Sequence, residues 1–131
     1  MTTTHIRNVA IVTLDEAGTI LYDSDLVIRD GVITHVGKVP EGLVADEVID
    51  GSGRVAMPGL VNAHCHSPMT FERGYAEDLP FGRWLNEKIW VAESALTPDD
   101  VYWGGMLAAA EMIRSGTIAY NDHYFHMDQI T

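Results

Sequence analysis

Short apolar runs separated by turn-forming residues dominate the first part of the chain. These runs, rich in Val, Ile and Leu, occupy residues 7–14, 19–22, 25–29, 32–38, 48–50 and 54–57. Asp30 and Gly31 lie between two of them, and this dipeptide indicates a β-hairpin because a type I′ turn needs two residues that tolerate positive φ. Several short strands at this spacing predict strands of a small sandwich or barrel-like β-domain over residues 1–57.

The pattern changes after Pro58 and Gly59. Residues 60–66 show little alternation at their start, which favours a strand that is buried on both faces. Apolar residues at helical spacing predict a helix over about residues 81–95. Thr97 can cap a second helix, which ends near Gly116 and precedes a predicted strand over residues 117–121.

The order strand, helices, strand predicts a parallel βαβ unit, and hence an α/β fold. A TIM barrel needs eight strand–helix units in about 250 residues. Residues 58–131 are therefore expected to form the first βα units of an incomplete TIM barrel.

Composition and charge exclude several classes of function. The chain has 131 residues, of which 47% are hydrophobic, and a formal net charge of −11. A field of this sign repels phosphate backbones and anionic lipids, so we expect no binding to nucleic acid and none to membranes. The N-terminal segment lacks a basic region followed by an apolar stretch, and the expected location is cytoplasmic.

A His-x-His pair stands at the end of the predicted strand 60–66. His64 and His66 are two positions apart, so on a strand both imidazoles point to the same face, about 6–7 Å apart along the backbone. Both can then reach one metal ion at about 2.0–2.1 Å. The alternative is a chance pair of exposed loop histidines. Their place at the C-terminal end of an apolar strand, where barrel active sites assemble, favours a metal site.

Three blocks of sequence resemble one known family. Residues 57–66, MPGLVNAHCH, resemble the first-strand signature of the amidohydrolase superfamily. Residues 67–81 with Trp84 and Leu85, and residues 111–117 followed by Asn121 and Asp122, are similar to the subgroup that contains S-adenosylhomocysteine/5′-methylthioadenosine deaminases and triazine hydrolases. The resemblance extends over essentially the whole chain. It implies the N-terminal part of a metal-dependent (β/α)8 TIM barrel, preceded by strands of a small β-sandwich domain.

The same resemblance implies one divalent metal ion per site, usually zinc and sometimes iron. His64 and His66 would be its first two ligands, whereas the remaining ligands and the proton-transferring residues come from strands beyond residue 131. No catalytic residue is therefore expected in this chain. The C-terminal remainder of the barrel, from the same or a separate chain, is an expected partner, and relatives commonly form homo-oligomers.

Four further residues are candidates for substrate binding. By resemblance to adenosine-type deaminases, Glu93 matches a carboxylate that binds ribose hydroxyls; the alternative is a solvated helix glutamate. Trp84 is either an aromatic wall of the substrate cavity or part of the core. Met69 either faces the pocket mouth, favouring apolar groups such as a thioether, or packs in the interior. His123 is expected at the catalytic end of the barrel, where close relatives can carry other residues.

The expected activity is metal-dependent hydrolytic deamination of an adenosine-like heterocycle, such as S-adenosylhomocysteine or 5′-methylthioadenosine, once the barrel is complete. Zinc lowers the pKa of bound water toward about 7, so hydroxide is available at neutral pH. Two enzymatic alternatives stay open: a guanine-type deaminase and a triazine chlorohydrolase. A third alternative is a non-catalytic truncated or split fragment that acts through association.

Overall fold

The computed structural model of the chain describes residues 1–126 and 128. The chain divides into two compact units, residues 1–58 and 59–131. Within the described part, no helix combines the length and the apolar character needed to cross a membrane. The strands are β1 (Thr3–Val12), β2 (Ile20–Arg29), β3 (Val32–Gly37), β4 (Glu47–Asp50), β5 (Val55–Ala56), β6 (Leu60–Cys65) and β7 (Thr117–Asp122). The helices are a 3-10 helix (Ser67–Glu72), α1 (Phe81–Trp84), a π-helix (Leu85–Ile89), α2 (Trp90–Glu93) and α3 (Pro98–Arg114).

The first unit is a sheet built around β1. Strand β2 pairs antiparallel with β1 and with β3, while β4 and β5 both run parallel to β1. The predicted hairpin is confirmed, because Asp30 and Gly31 connect β2 to β3 with φ angles of 49° and 80°. Two predicted runs, 19–22 and 25–29, belong to the single strand β2, since Ser24 stays paired with Val9 between two irregularities of the ladder.

Apolar side chains of β1 and β2 form the core of this sheet. Val9, Ile11 and Leu26 are buried there, and partly buried apolar side chains pack around them. The ladder pairs Ile11 with Leu21, and Val9 lies two positions before Ile11, so these three side chains share one face of the sheet. The five strands supply one layer, and a sandwich needs a second layer packed against it.

The second unit contains the predicted β–α–β arrangement. Strands β6 and β7 are parallel, with Leu60 opposite Thr117 and Cys65 opposite Asp122. The predicted capping of α3 by Thr97 is confirmed, and it takes the form of a capping box: the Asp100 N–H donates to Thr97 Oγ1 at 3.3 Å, and the Thr97 N–H donates to Asp100 Oδ2 at 2.8 Å. These bonds satisfy backbone donors that the first helical turn would otherwise leave unpaired.

The predicted helix over residues 81–95 is interrupted by the π-helix. The Trp90 N–H donates to the carbonyl oxygen of Leu85, five residues earlier, and the Asn86 side-chain amide donates to the Gly82 carbonyl oxygen at 2.7 Å. A π turn inserts extra backbone and rotates everything that follows it relative to what precedes it. The side chains of α2 therefore do not face where a regular helix would put them.

The strands of this unit are more exposed than the sequence predicts. Leu60 is 50% exposed, Val61 67% and Ile118 74%, although their composition is that of strands covered on both faces. The expectation of burial is wrong for the described residues, because β6 pairs only with β7 among them. Each of these side chains would lose exposure if further strands or helices packed against this sheet.

A close approach between α3 and the 3-10 helix allows a test of packing. A Cβ on Gly104 would lie 2.8 Å from both Cα and O of Pro68, whereas a Cβ on Gly82 would meet nothing within 4 Å. We expect Gly104→Ala to lower the free energy of unfolding by roughly 1–3 kcal/mol, since backbone must move to admit the methyl group. The matched change Gly82→Ala should raise it by about 0.5–1 kcal/mol. Denaturant unfolding of both variants checks this, and equal effects would contradict it.

Candidate metal and substrate site

The two histidines of the His-x-His pair converge. His64 lies in β6 and His66 directly follows it, and their Nε2 atoms are 3.2 Å apart. The ring planes are nearly perpendicular, with centroids 4.9 Å apart. The strand geometry expected from the sequence, with both imidazoles on one face, is therefore present, and both side chains are exposed.

The backbone of β7 orients the His66 ring. His66 Nδ1–H donates to the carbonyl oxygen of His123. The His123 N–H in turn donates to the carbonyl oxygen of Cys65 at 2.9 Å, which extends the β6–β7 pairing past the end of both strands. With the proton of His66 on Nδ1, its Nε2 carries a free lone pair.

These two nitrogens fit a divalent transition metal. Two bonds of about 2.0–2.1 Å in a tetrahedral site separate their nitrogens by about 3.3 Å, which is close to the observed Nε2–Nε2 distance of 3.2 Å. A carbonyl oxygen on the far nitrogen of a ligating imidazole is also the usual arrangement. Among residues 1–126 and 128, no three His, Cys, Asp or Glu side chains form a cluster that could hold a metal ion. The described residues therefore contain two imidazole donors of such a site.

A cavity of about 440 Å³ adjoins the histidine pair. His66 and the four residues that the sequence suggested for substrate binding all line it: Met69, Trp84, Glu93 and His123. Its other lining residues, which sequence reasoning missed, are Phe81, Leu85, Ile89, Trp90, Tyr124 and Phe125. The structure thus brings the candidate residues together; their roles stay predictions.

The π-helix explains how Trp84 and Glu93 share this cavity. Nine positions of a regular α-helix turn the chain through about 900°, which would put the two side chains on opposite faces. The inserted π turn between them shifts Glu93 around the axis to the side of Trp84. Trp84 also stacks on Phe81, with ring centroids 5.9 Å apart and planes 28° apart, which gives the cavity a flat aromatic wall.

A second cavity, of about 350 Å³, shares Glu93 with the first. Trp90, Tyr124 and Phe125 also line both cavities. Glu93 therefore stands where the two spaces meet, with the histidine pair on one side only. An elongated ligand whose reactive end lies at His66 would pass Glu93 along its length.

Glu72 is a buried carboxyl group that the sequence did not single out. Its two carboxyl oxygens are buried, and no other described group lies within hydrogen-bonding distance of them. Burial and then the negative charge of Glu93 raise the pKa of Glu72 above its usual value. Burial and the interaction with Glu93 likewise raise the pKa of Tyr124. The negative charge of Glu93 thus acts on both Glu72 and Tyr124, and it favours their neutral forms.

An ion pair connects the residue after the 3-10 helix to α3. Arg73 donates to both carboxyl oxygens of Glu111 in α3, at 3.2 and 2.7 Å. Both side chains are about half exposed or more, so the pair contributes little to stability by itself. Its two-pronged geometry nevertheless fixes the direction in which the chain leaves the 3-10 helix.

Comparison with known proteins identifies the family. The model of the amidohydrolase family matches residues 55–130, a range that includes the histidine pair and the whole β6–β7 unit. The chain belongs to the amidohydrolase family. The resemblance found in the sequence is confirmed, and so is its fold, the N-terminal portion of an amidohydrolase barrel with preceding β-strands.

Curated relatives of this chain include proteins that are named as deaminases. The chain is 47% identical to a 5-methylthioadenosine/S-adenosylhomocysteine deaminase of Syntrophomonas wolfei over 127 residues, which cover 95% of this chain and 29% of that protein. It is 50% identical to a 5′-deoxyadenosine deaminase of Methanosarcina mazei over 125 residues, covering 95% and 28%. The chain therefore spans about 30% of the length of the curated relatives that it matches.

Solved structures agree on the fold. An adenosine deaminase of Xanthomonas campestris with bound zinc matches with a TM-score of 0.87 and 34% identity, covering 98% of this chain and 30% of that one. An atrazine chlorohydrolase of Arthrobacter aurescens, in complex with zinc, matches with a TM-score of 0.82 and 24% identity, covering 97% and 32%. At that lower identity the likeness concerns the fold alone.

The raised pKa of Glu72 gives a prediction about stability and pH. Between the usual carboxyl pKa and the raised one, the native state holds more protons than the unfolded state, so stability falls as pH rises through this window. Glu72→Gln cannot ionise and should unfold at higher denaturant than the wild type at pH 7, with the difference shrinking toward pH 4. The exposed Glu77→Gln is the control. A Glu72→Gln variant less stable than the wild type at pH 7 would show that the carboxylate is paired.

Proposed function

We propose that the protein to which this chain belongs is a metal-dependent hydrolase that deaminates an adenosine-like nucleoside. The observation that carries the proposal is the 3.2 Å separation of the His64 and His66 Nε2 atoms at the edge of a cavity that also presents Glu93. Deamination of an adenine ring replaces the amino group by the oxygen of water and releases ammonia. The reactive carbon would lie near the histidine pair, and the sugar farther along the cavity.

His64 and His66 would hold a zinc ion through their Nε2 atoms. Such an ion supplies a water whose pKa is lowered toward about 7 and can thus attack at neutral pH. The His66 ring keeps its orientation because its Nδ1–H donates to the carbonyl oxygen of His123, the residue directly after β7. The His123 ring lies 5.5 Å from that of His64, close enough for it to contact a heterocycle bound beside the pair.

The aromatic wall and Glu93 would recognise the two halves of a nucleoside. Trp84, stacked on Phe81, offers a flat surface for the base, because aromatic rings prefer offset or edge contacts with other rings. Glu93 would accept hydrogen bonds from both ribose hydroxyls, one to each carboxyl oxygen, and such charge-assisted pairs are stronger than neutral ones. Met69 would pack against the apolar part of the ligand.

Further polypeptide is needed for catalysis in this proposal. A catalytic zinc normally takes three protein ligands and a water, and the described residues provide two imidazoles. The exposed side chains of Leu60, Val61 and Ile118 offer an apolar surface that additional strands and helices of a barrel would cover. We propose that these elements bring the remaining ligands and the proton-transferring groups and that, as the family resemblance implies, the assembled protein forms a homo-oligomer.

Glu93 separates this proposal from its enzymatic alternatives. A guanine-type deaminase or a triazine hydrolase acts on a ligand without ribose, and a carboxylate placed for a pair of vicinal hydroxyls would serve no purpose there. In the non-catalytic alternative, this chain acts only through association. Metal binding and turnover by the assembled protein distinguish the two.

Removal of one imidazole tests the metal site. In the full-length protein that contains this chain, His64→Ala should lower the bound zinc from about one equivalent per chain to well below half, since two of the protein ligands come from this pair. His35→Ala, in the first unit, is the matched control. The measurement is metal analysis after dialysis. Full zinc retention in His64→Ala would contradict the assignment of the pair.

Substitution of Glu93 tests the nucleoside part of the proposal. Glu93→Gln should raise KM for 5′-methylthioadenosine and 5′-deoxyadenosine at least tenfold, because a charge-assisted pair is replaced by weaker bonds. The KM for free adenine should not change. Glu87→Gln, which breaks only the exposed ion pair with Arg83, is the control, and ammonia release is the readout. An unchanged KM for the nucleosides would favour a ligand without ribose.

A further inference from the structure

Asp122, the last residue of β7, binds the segment that follows His66. Its Oδ1 accepts from the backbone N–H of Ser67 at 3.0 Å and from the N–H of His123 at 2.9 Å. Its Oδ2 accepts from the Ser67 hydroxyl. One carboxylate therefore joins the ends of two adjacent parallel strands, and Ser67 is only 3% exposed.

These bonds fix the backbone on both sides of His66. On one side, Cys65 stands opposite Asp122 in the ladder, and its carbonyl oxygen accepts from the His123 N–H. On the other side, Ser67 is held by the Asp122 carboxylate. The same carboxylate also holds the His123 N–H, and the carbonyl of His123 receives His66 Nδ1–H.

The 3-10 helix adds a steric stop behind this arrangement. Pro68 is buried, and Gly104 of α3 lies so close that a Cβ there would be 2.8 Å from the Pro68 carbonyl oxygen. Close packing at Gly104 leaves little room for Pro68 to approach α3. The hydrogen bonds to Asp122 hold Ser67 against the end of β7.

We infer that Asp122 is a positioning residue for the metal ligand His66: its carboxylate ties Ser67 and His123 together and so sets the direction in which His66 Nε2 points. This inference rests on the proposed metal site. It assigns to Asp122 no contact with metal or substrate. Its action on the site passes through the two peptide groups that flank His66 and through the carbonyl that receives His66 Nδ1–H.

The bonding pattern predicts which substitution preserves the function. Oδ1 accepts both backbone N–H groups, and Oδ2 accepts from the Ser67 hydroxyl. In Asp122→Asn the amide oxygen can take the place of Oδ1, and the amide NH2 can donate to the Ser67 hydroxyl, which is also an acceptor. Asp122→Ala loses all three bonds.

The experiment measures Co²⁺ binding to the metal-free, full-length protein that contains this chain, by competition with a chromophoric chelator. Asp122→Ala should weaken Co²⁺ binding roughly 10–100-fold, as loss of groups that orient metal ligands does, and should change the visible spectrum of bound Co²⁺ at temperatures well below unfolding. Asp122→Asn should recover most of the affinity. The exposed Asp99→Ala is the matched control and should bind as the wild type does.

Each other outcome overturns the inference. Wild-type affinity and spectrum in Asp122→Ala would show that the carboxylate does not position His66. Equal losses in Asp122→Asn and Asp122→Ala would mean that the charge acts, and not the hydrogen bonds. If Asp122→Ala does not fold, Ser67→Ala decides: loss of one hydrogen bond should weaken Co²⁺ binding about fivefold, and unchanged affinity would contradict the inference. A wild-type protein that binds no Co²⁺ would refute the metal site itself, and this inference with it.

Discussion

A hydrogen bond between His66 Nδ1 and the carbonyl oxygen of His123 connects the two strand ends on which the site is built. It exists only because β6 and β7 run parallel with Cys65 opposite Asp122, which brings the residue after each strand to the same edge. An imidazole whose Nδ1 proton is engaged presents a lone pair at Nε2. Strand pairing therefore places His66 and engages its Nδ1, and the Nε2 atom of His66 lies 3.2 Å from that of His64.

The helical segment between the strands sets the other half of the site. Its π-helix rotates α2 so that Glu93 faces the same cavity as Trp84. π turns within helices are uncommon because they lose backbone hydrogen bonds that a regular helix would make. Those that do occur are often found at functional sites. Here the cost is offset in part by the Asn86 side chain, which donates to the Gly82 carbonyl oxygen. The π-helix is therefore both the break in the regular helix and the reason why Trp84 and Glu93 line the same cavity.

Features governed by local chemistry were predicted from the sequence, and features governed by packing were not. The Asp30-Gly31 hairpin, the capping box of Thr97 and the convergence of His64 and His66 depend on residues within a few positions of one another. The 3-10 helix after His66 depends instead on α3, because Gly104 allows Pro68 to approach. The apolar periodicity of residues 81–95 gave no sign of the π-helix. The sequence around Glu72 likewise gave no sign that its carboxyl oxygens are buried, because this burial arises only when the segment folds.

The exposure of β6 and β7 also depends on packing, and not on local sequence. Val61 and Ile118 are apolar residues of the kind found inside a closed sheet, yet each is at least two-thirds exposed. The apolar pattern of a strand indicates the environment that suits it, and the described residues do not supply that environment. Burying such side chains contributes about 25 cal/mol for each Å² removed from water. Val61 lies in the same strand as His64. In the proposed function, polypeptide that packs on this strand would both bury its apolar side chains and supply the remaining metal ligands beside His64 and His66.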